Sequence, residues 1–325
     1  MDTFVIAEAG SNHSRNFEQA LKLIEIAKES GANAVKFQTF TSEALYNKNT
    51  PNFANYDNIN DLIKSLELPR EWQKYLKEYC DALNIEFMSS PFDEKAVQEL
   101  VDLGVKRIKI AGFEATDLRF VDMVSSTKLP LIISAGIGCN LDFIDKIIKT
   151  CNKRGCDDLT ILHCNNAYPT PQEDINLGTI LDIKGWYPNV KVGLSDHTTN
   201  TLTPSLAVAL GATTIEKHFT ISKQLPGPDH TFAVEPHELK EMIDNIRLTE
   251  VSLSRKKDGY TKSEEDFKYA GRSIIATKAI KKGDSLNQSN ITTKRPFLEN
   301  TTPASKWFDV FNTKATKNYN PDDFI

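Results

Sequence analysis

The stretches GLSDHTT (193–199) and IEKHF (215–219) each bring ionisable side chains to the end of an apolar run, and each delivers one imidazole, His197 and His218. Two imidazoles on successive runs can hold one divalent ion, with Glu8 of FVIAEAG and water completing an open coordination shell. Manganese or magnesium, which keep several waters, suit such a set better than structural zinc. Lys36, Lys109, Ser90, Ser134 and Ser195 end other apolar runs and supply ammonium groups and hydroxyls, the chemistry that binds a phosphate or carboxylate. With 39 Lys and Arg against 44 Asp and Glu, the formal net charge is -5, so the chain offers no basic surface for nucleic acid. An anionic ligand must be held by a local cluster. His163, beside Cys164, reads either as a further site residue or as a histidine satisfied by its surroundings.

These residues need a scaffold that gathers the ends of many runs. Eight short stretches rich in Val and Ile recur: FVIAEAG (4–10), AVKFQTF (34–40), IEFMSSPF (85–92), RIKIAGF (107–113), LIISAGIG (131–138), LTILHCNN (159–166), VKVGLSDH (190–197) and TTIEKHFT (213–220). Segments with helical spacing separate them, such as FEQALKLIEIAKESG and LDFIDKIIKTCNKRG. Repeated strand-then-helix units with right-handed crossovers predict an α/β fold, a closed (β/α)8 TIM barrel, over residues 1–250. In that fold the chemistry lies where the strands end. Here those ends carry Glu8, Lys36, Ser89, Ser90, Lys109, Ser134, Asn166, Ser195, His197, Glu216 and His218.

Five cysteines, an odd number without a CxxC pair, and an N-terminus lacking a charged start predict a soluble protein of the reducing cytoplasm. No apolar run approaches the roughly 18 residues that a membrane-spanning helix needs. The polar stretch SRKKDGYTKSEEDFKYAG marks a linker, placed at 251–270.

FVIAEAGSNH, VKFQTF, MSSPF, KIAGFEATDL, IISAGIG, LHCNNAYPTP, GLSDHTT, ALGATTIEKHF and PGPDHTFAVEP, in this order, resemble the sialic acid synthases and their relatives that make pseudaminic or legionaminic acid. The segment RSIIATKAIKKGDSLNQSNITTKRP resembles their small C-terminal SAF, or antifreeze-like, domain, which places that domain at 271–325. The resemblance implies condensation of phosphoenolpyruvate with N-acetylmannosamine or a related amino sugar. C3 of the enol pyruvate joins the sugar aldehyde, water attacks C2, and phosphate leaves by C–O cleavage. It implies Lys36, Ser90, Lys109, Ser134, Asn166 and Ser195 as phosphoenolpyruvate contacts, and His197 and His218 as ligands of Mn or Mg. Glu8, Tyr168 and Asp229 match acceptor-sugar positions, with Glu8 also a carboxylate for proton transfer. Arg295 matches an arginine that reaches a partner's site in a domain-exchanged homodimer.

The chain departs from the family in places. Gly112 stands where a serine is usual, so a hydroxyl that would face the phosphate is missing, and Gly112→Ser is expected to tighten donor binding. FLENTTPASKWFDVFN replaces a glycine-rich turn after KRP, and SRN replaces a glycine after Asn12-His13. Two other classes stay open. A Schiff-base aldolase would use Lys109 or Lys217 and no metal, and a non-catalytic sugar-binding protein would keep the barrel and the SAF module.

Overall fold

Each of the eight apolar runs forms a parallel strand: β1 (Phe4–Gly10), β2 (Ala34–Thr39), β3 (Glu86–Pro91), β4 (Ile108–Ile110), β5 (Leu131–Ala135), β6 (Leu159–Cys164), β7 (Lys191–Asp196) and β8 (Thr214–His218). In the computed structural model, which describes residues 2–51 and 58–325, their ladders run β3-β2-β1-β8-β7-β6-β5-β4. Strands β3 and β4 lie side by side without a ladder of their own, so the sheet curls into a nearly closed (β/α)8 barrel. Asn16, Asp93 and Asn140 start the helices that follow β1, β3 and β5 by accepting hydrogen bonds from the N–H groups of Gln19, Ala96 and Phe143. The loops at those strand ends stay short and the side chains they carry stay in place.

Parity along the strands sorts the side chains into two cores. Val5, Ala7, Val35, Phe37, Ile108, Ile110, Ile161, Leu194 and Ile215 face the helices and join one large apolar cluster. Ile6, Ala34, Met88, Ile132 and Leu162, with Phe4 against them, plug the barrel interior. Two residues further along, the same interior face carries Glu8, Lys36, Ser90, Ser134 and Cys164. The plug therefore forms a dry floor beneath a polar layer. Gly193 is part of this packing: a Cβ there would lie 2.2 Å from the Thr214 carbonyl oxygen and 2.6 Å from Leu162 Cδ2.

The chain divides into two units, Met1–Ser254 and Arg255–Ile325. The last barrel helix, Pro236–Leu253, runs past the expected start of the linker at 251, because no Gly or Pro interrupts the chain before Gly259. The expected linker also holds 3-10 turns at Lys262–Ala270. In the second unit, β9 (Ser273–Ala276) and β10 (Ile291–Lys294) pair antiparallel over a small core of Ile274, Ile280, Leu286, Ile291 and Tyr319. Among the described residues no helix is long and apolar enough to cross a membrane.

Candidate functional site

Lys36 and Lys109 stand in the polar layer, 2 % and 1 % exposed. Lys36 Nζ lies 2.9 Å from Glu8 Oε2 and 3.6 Å from Glu216 Oε2, and donates to Ser90 Oγ at 2.9 Å. Lys109 Nζ lies 3.4 Å from Glu216 Oε1, which also accepts from Ser195 Oγ at 3.1 Å. Glu216 thus sits between both lysines. Gln38 Nε2 holds the other oxygen of Glu8 at 2.8 Å. The Ser134 hydroxyl, in the same layer, is buried without a hydrogen-bond partner. A buried polar group is left unpaired at a cost, so such atoms mark a place that a ligand completes.

The two carboxylates differ in proton affinity. Burial pushes the Glu8 carboxyl up to about 7, against the pull of Lys36 and with the help of Glu216. Glu216 is held down at about 2 despite its burial, because Lys109 and Lys36 both face it. Burial pulls the Lys109 ammonium below its ordinary value, and Glu216 offsets part of that. Lys36 is held above its ordinary value, since Glu216 and Glu8 outweigh its burial.

Above this layer His197 and His218 face each other with ring centroids 5.3 Å apart. His197 Nδ1–H donates to the Asn165 carbonyl at 2.6 Å, which leaves Nε2 with its lone pair free. Burial, then His218, pull His197 down to about 3, and burial also lowers His218, so both rings are neutral at physiological pH. His218 Nδ1 is buried without a partner. Two neutral imidazoles, one oriented by a carbonyl and one carrying an orphaned nitrogen, fit a divalent ion. Among the described residues no three His, Cys, Asp or Glu side chains converge on one point for a metal. Glu8, expected to complete the shell, stands with Lys36 and Gln38 instead, since the lysine is its nearest charge. The remaining ligands would come from water or substrate.

Tyr168 lies over this face, its ring centroid 4.3 Å from that of His197. Asp229 Oδ2 accepts from Ser11 Oγ at 2.8 Å and lies 3.0 Å from where a Cβ on Gly10 would be, with His218 Cε1 at 3.4 Å from the same point. One expected donor contact is engaged with other groups. Asn166 Oδ1 accepts from the Ile137 N–H at 2.7 Å and its Nδ2 donates to Tyr168 OH at 3.1 Å, so its carboxamide bridges two loops rather than joining the lysines. Arg295 belongs to the second unit, where it follows β10 exposed to solvent.

Parity settles the remaining candidates. Lys217 faces the helices and pairs with Asp196 at 2.7 Å, the partners 1 % and 0 % exposed, so it cannot reach the barrel interior as a Schiff-base lysine. Asp196 also accepts from the Thr198 N–H at 2.9 Å. His163 likewise points outward and bonds the Ile175 carbonyl at 2.6 Å, which makes it a satisfied histidine. Glu114 is the residue that sequence reasoning passed over. Its Oε2 is buried without a partner, and burial pushes its carboxyl up to about 7 against the pull of Lys109 and Lys36. It lines a groove of about 760 Å³ with Phe92, Phe113 and Phe120. A larger opening of about 920 Å³ at the other end of the barrel, ringed by Phe4, Arg107, Lys191 and Thr214, has no such orphaned groups.

The sequence profile of the NeuB family matches residues 23–258. The chain is 39% identical over 309 residues to the N,N'-diacetyllegionaminic acid synthase of Legionella pneumophila, an alignment that covers 91% of this chain and 86% of that protein. It is 36% identical to the pseudaminic acid synthase of Campylobacter jejuni serotype O:23/36, covering 90% and 87%. Among solved structures, the N-acetylneuraminic acid (sialic acid) synthetase of Leptospira borgpetersenii in complex with citrate superposes with a TM-score of 0.75 at 31% identity, covering 82% of this chain and 90% of that one.

Proposed function

Because the chain belongs to the NeuB family, we propose that it is a nonulosonic acid synthase, which condenses phosphoenolpyruvate with an N-acetylated amino sugar and water and releases phosphate. The carrying observation is the pair of buried lysines gathered around Glu216 beneath two neutral imidazoles. That arrangement suits an anionic donor below and a carbonyl acceptor above. The acceptor is N-acetylmannosamine or a di-N-acetylated hexose. The legionaminic and pseudaminic acid synthases among its relatives support the second.

In this reading Lys36, Lys109, Ser90, Ser195 and the unpartnered Ser134 hydroxyl receive the phosphate and carboxylate of the donor. The donor brings several negative charges to a layer whose two lysines already face carboxylates. The match improves when Glu8 and Glu114 carry protons, which burial favours up to about pH 7. His197 and His218 would hold a manganese or magnesium ion, which when bound supplies Lewis acidity toward the aldehyde oxygen. C3 of the donor forms the new bond to the aldehyde carbon, water adds at C2, and the C2–O bond to phosphate breaks. Glu8 or Glu114 gives a proton to the new alkoxide and accepts one from the attacking water. Tyr168 and Asp229 border the imidazoles and position the sugar. The Schiff-base alternative loses Lys217, which points away from the barrel interior, and rests on Lys109.

Phosphate release over a panel of acceptor sugars, with and without manganese, tests the proposal. No phosphate release with any acetamido sugar would sink it. Glu114→Gln is expected to lower kcat by about 100-fold, the size of a general acid–base contribution, and to flatten the limb of the pH–rate profile near 7. An unaltered profile would remove Glu114 from the proton transfers.

The proposal extends to assembly and location: a cytoplasmic homodimer in which the SAF domain of one protomer supplies Arg295 to the other protomer's sugar site. Mixing Arg295→Ala chains with His218→Ala chains should then restore activity, because one site in the mixed dimer carries neither lesion. Proven subunit exchange without rescue would show that Arg295 does not act across the dimer.

A further inference from the structure

Gly112 and Gly136 leave a slot at the ends of β4 and β5 that the Asn166 carboxamide fills. A Cβ on Gly112 would stand 2.7 Å from Asn166 Oδ1 and 2.9 Å from Nδ2, and one on Gly136 would stand 1.9 Å from Oδ1. Neither distance is compatible with a side chain and Asn166 in place together. Gly136 would also meet the Gly112 Cα at 3.0 Å, whereas the three atoms nearest a Cβ on Gly112 all belong to the movable carboxamide. Seated there, Asn166 accepts from the Ile137 N–H at 2.7 Å and donates to the Tyr168 hydroxyl at 3.1 Å. The Tyr168 ring in turn lies 4.3 Å from His197 and 5.6 Å from Phe232, centroid to centroid.

We propose that Asn166 is a positioning residue for the acceptor side, and that Gly112 is the residue that admits it: the glycine opens the slot, the carboxamide locks into it, and the lock fixes Tyr168 over the imidazoles. The missing hydroxyl at 112 is then not a gap in the donor site. It is the condition for the Asn166–Tyr168 bridge. The inference rests on the synthase reading for its kinetic consequence but not for its geometry.

Three variants test it: Gly112→Ser, Asn166→Ala and the two together. A serine at 112 should evict the carboxamide, so amide hydrogen exchange at Ile137 should speed up in all three variants. The acceptor KM should rise about tenfold, the size of one lost hydrogen bond, with the donor KM within about twofold of the parent. The double variant should be no worse than either single one, since both remove the same bridge. Unchanged exchange at Ile137 in Gly112→Ser overturns the slot. So does a tighter donor KM in Gly112→Ser with the acceptor unaffected, or a donor-only defect in Asn166→Ala. If the parent turns over no acceptor at all, the synthase reading falls, and the Ile137 exchange still decides the slot.

Discussion

Alanine at His197 or at His218 lowers turnover by about a thousandfold or more, the equivalent of the several kcal/mol of charge stabilisation that a bound divalent ion supplies, and leaves the barrel folded. Each ring is one of two neutral imidazoles on this face, and no third ligand is placed to compensate among the described residues. The fold should tolerate the change, because the two rings stand at the strand ends above the plug formed by Ile6, Ala34, Met88, Ile132 and Leu162. Manganese binding followed by its electron paramagnetic resonance signal should weaken in both variants. Phosphoenolpyruvate should still bind through Lys36 and Lys109. Near-parental turnover in either variant at low metal concentration would remove the histidine pair from the chemistry.

The second large effect belongs to Lys36→Met, a change that keeps bulk and removes charge. Donor affinity should fall by about 10- to 100-fold, the range of a lost charge-assisted contact. Stability should fall as well, by about 3–5 kcal/mol at pH 8, because Glu8 loses its lysine and Glu216 keeps only Lys109. The loss has a sign in pH. Glu8 already sits well above its unfolded value, and without Lys36 its carboxyl rises further. A carboxyl raised in the folded state favours the fold while protonated, so its contribution is present at low pH and disappears as pH climbs through about 7 and beyond. The variant should therefore be closest to the parent near pH 5 and furthest from it near pH 8. A pH-independent deficit in denaturation midpoint would contradict the Glu8–Lys36 pairing.

Much of this was legible in the sequence because a barrel strand announces itself. Four of the interior polar residues expected at strand ends follow an apolar residue two positions earlier: Glu8 follows Ile6, Lys36 follows Ala34, Ser90 follows Met88 and Ser134 follows Ile132. The same parity would have removed Lys217 as a reactive amine, since its neighbours Glu216 and His218 claim the interior. Glu114 was not legible. It lies just past the short strand β4 in a 3-10 turn, one acidic residue among many, and only burial by groups distant in sequence raises its proton affinity. The place of Asn166 was hidden for the same reason, because the space it fills is made by two glycines from neighbouring loops.

Strands β7 and β8 carry opposite chemistries on their two faces, with Ser195 beside Glu216 on one and Asp196 beside Lys217 on the other. Losing or gaining one residue inside GLSDH would turn Asp196 into the barrel and Ser195 against the helices, and the same change inside IEKHF would turn Lys217 inward and push Glu216 and His218 outward. Point substitutions can be absorbed one at a time, but a frame-preserving deletion of a single codon here would exchange the two faces of a whole strand end at once. Length variation in such barrels is thus confined to the loops, and insertion scanning of these two strands should give no active survivors.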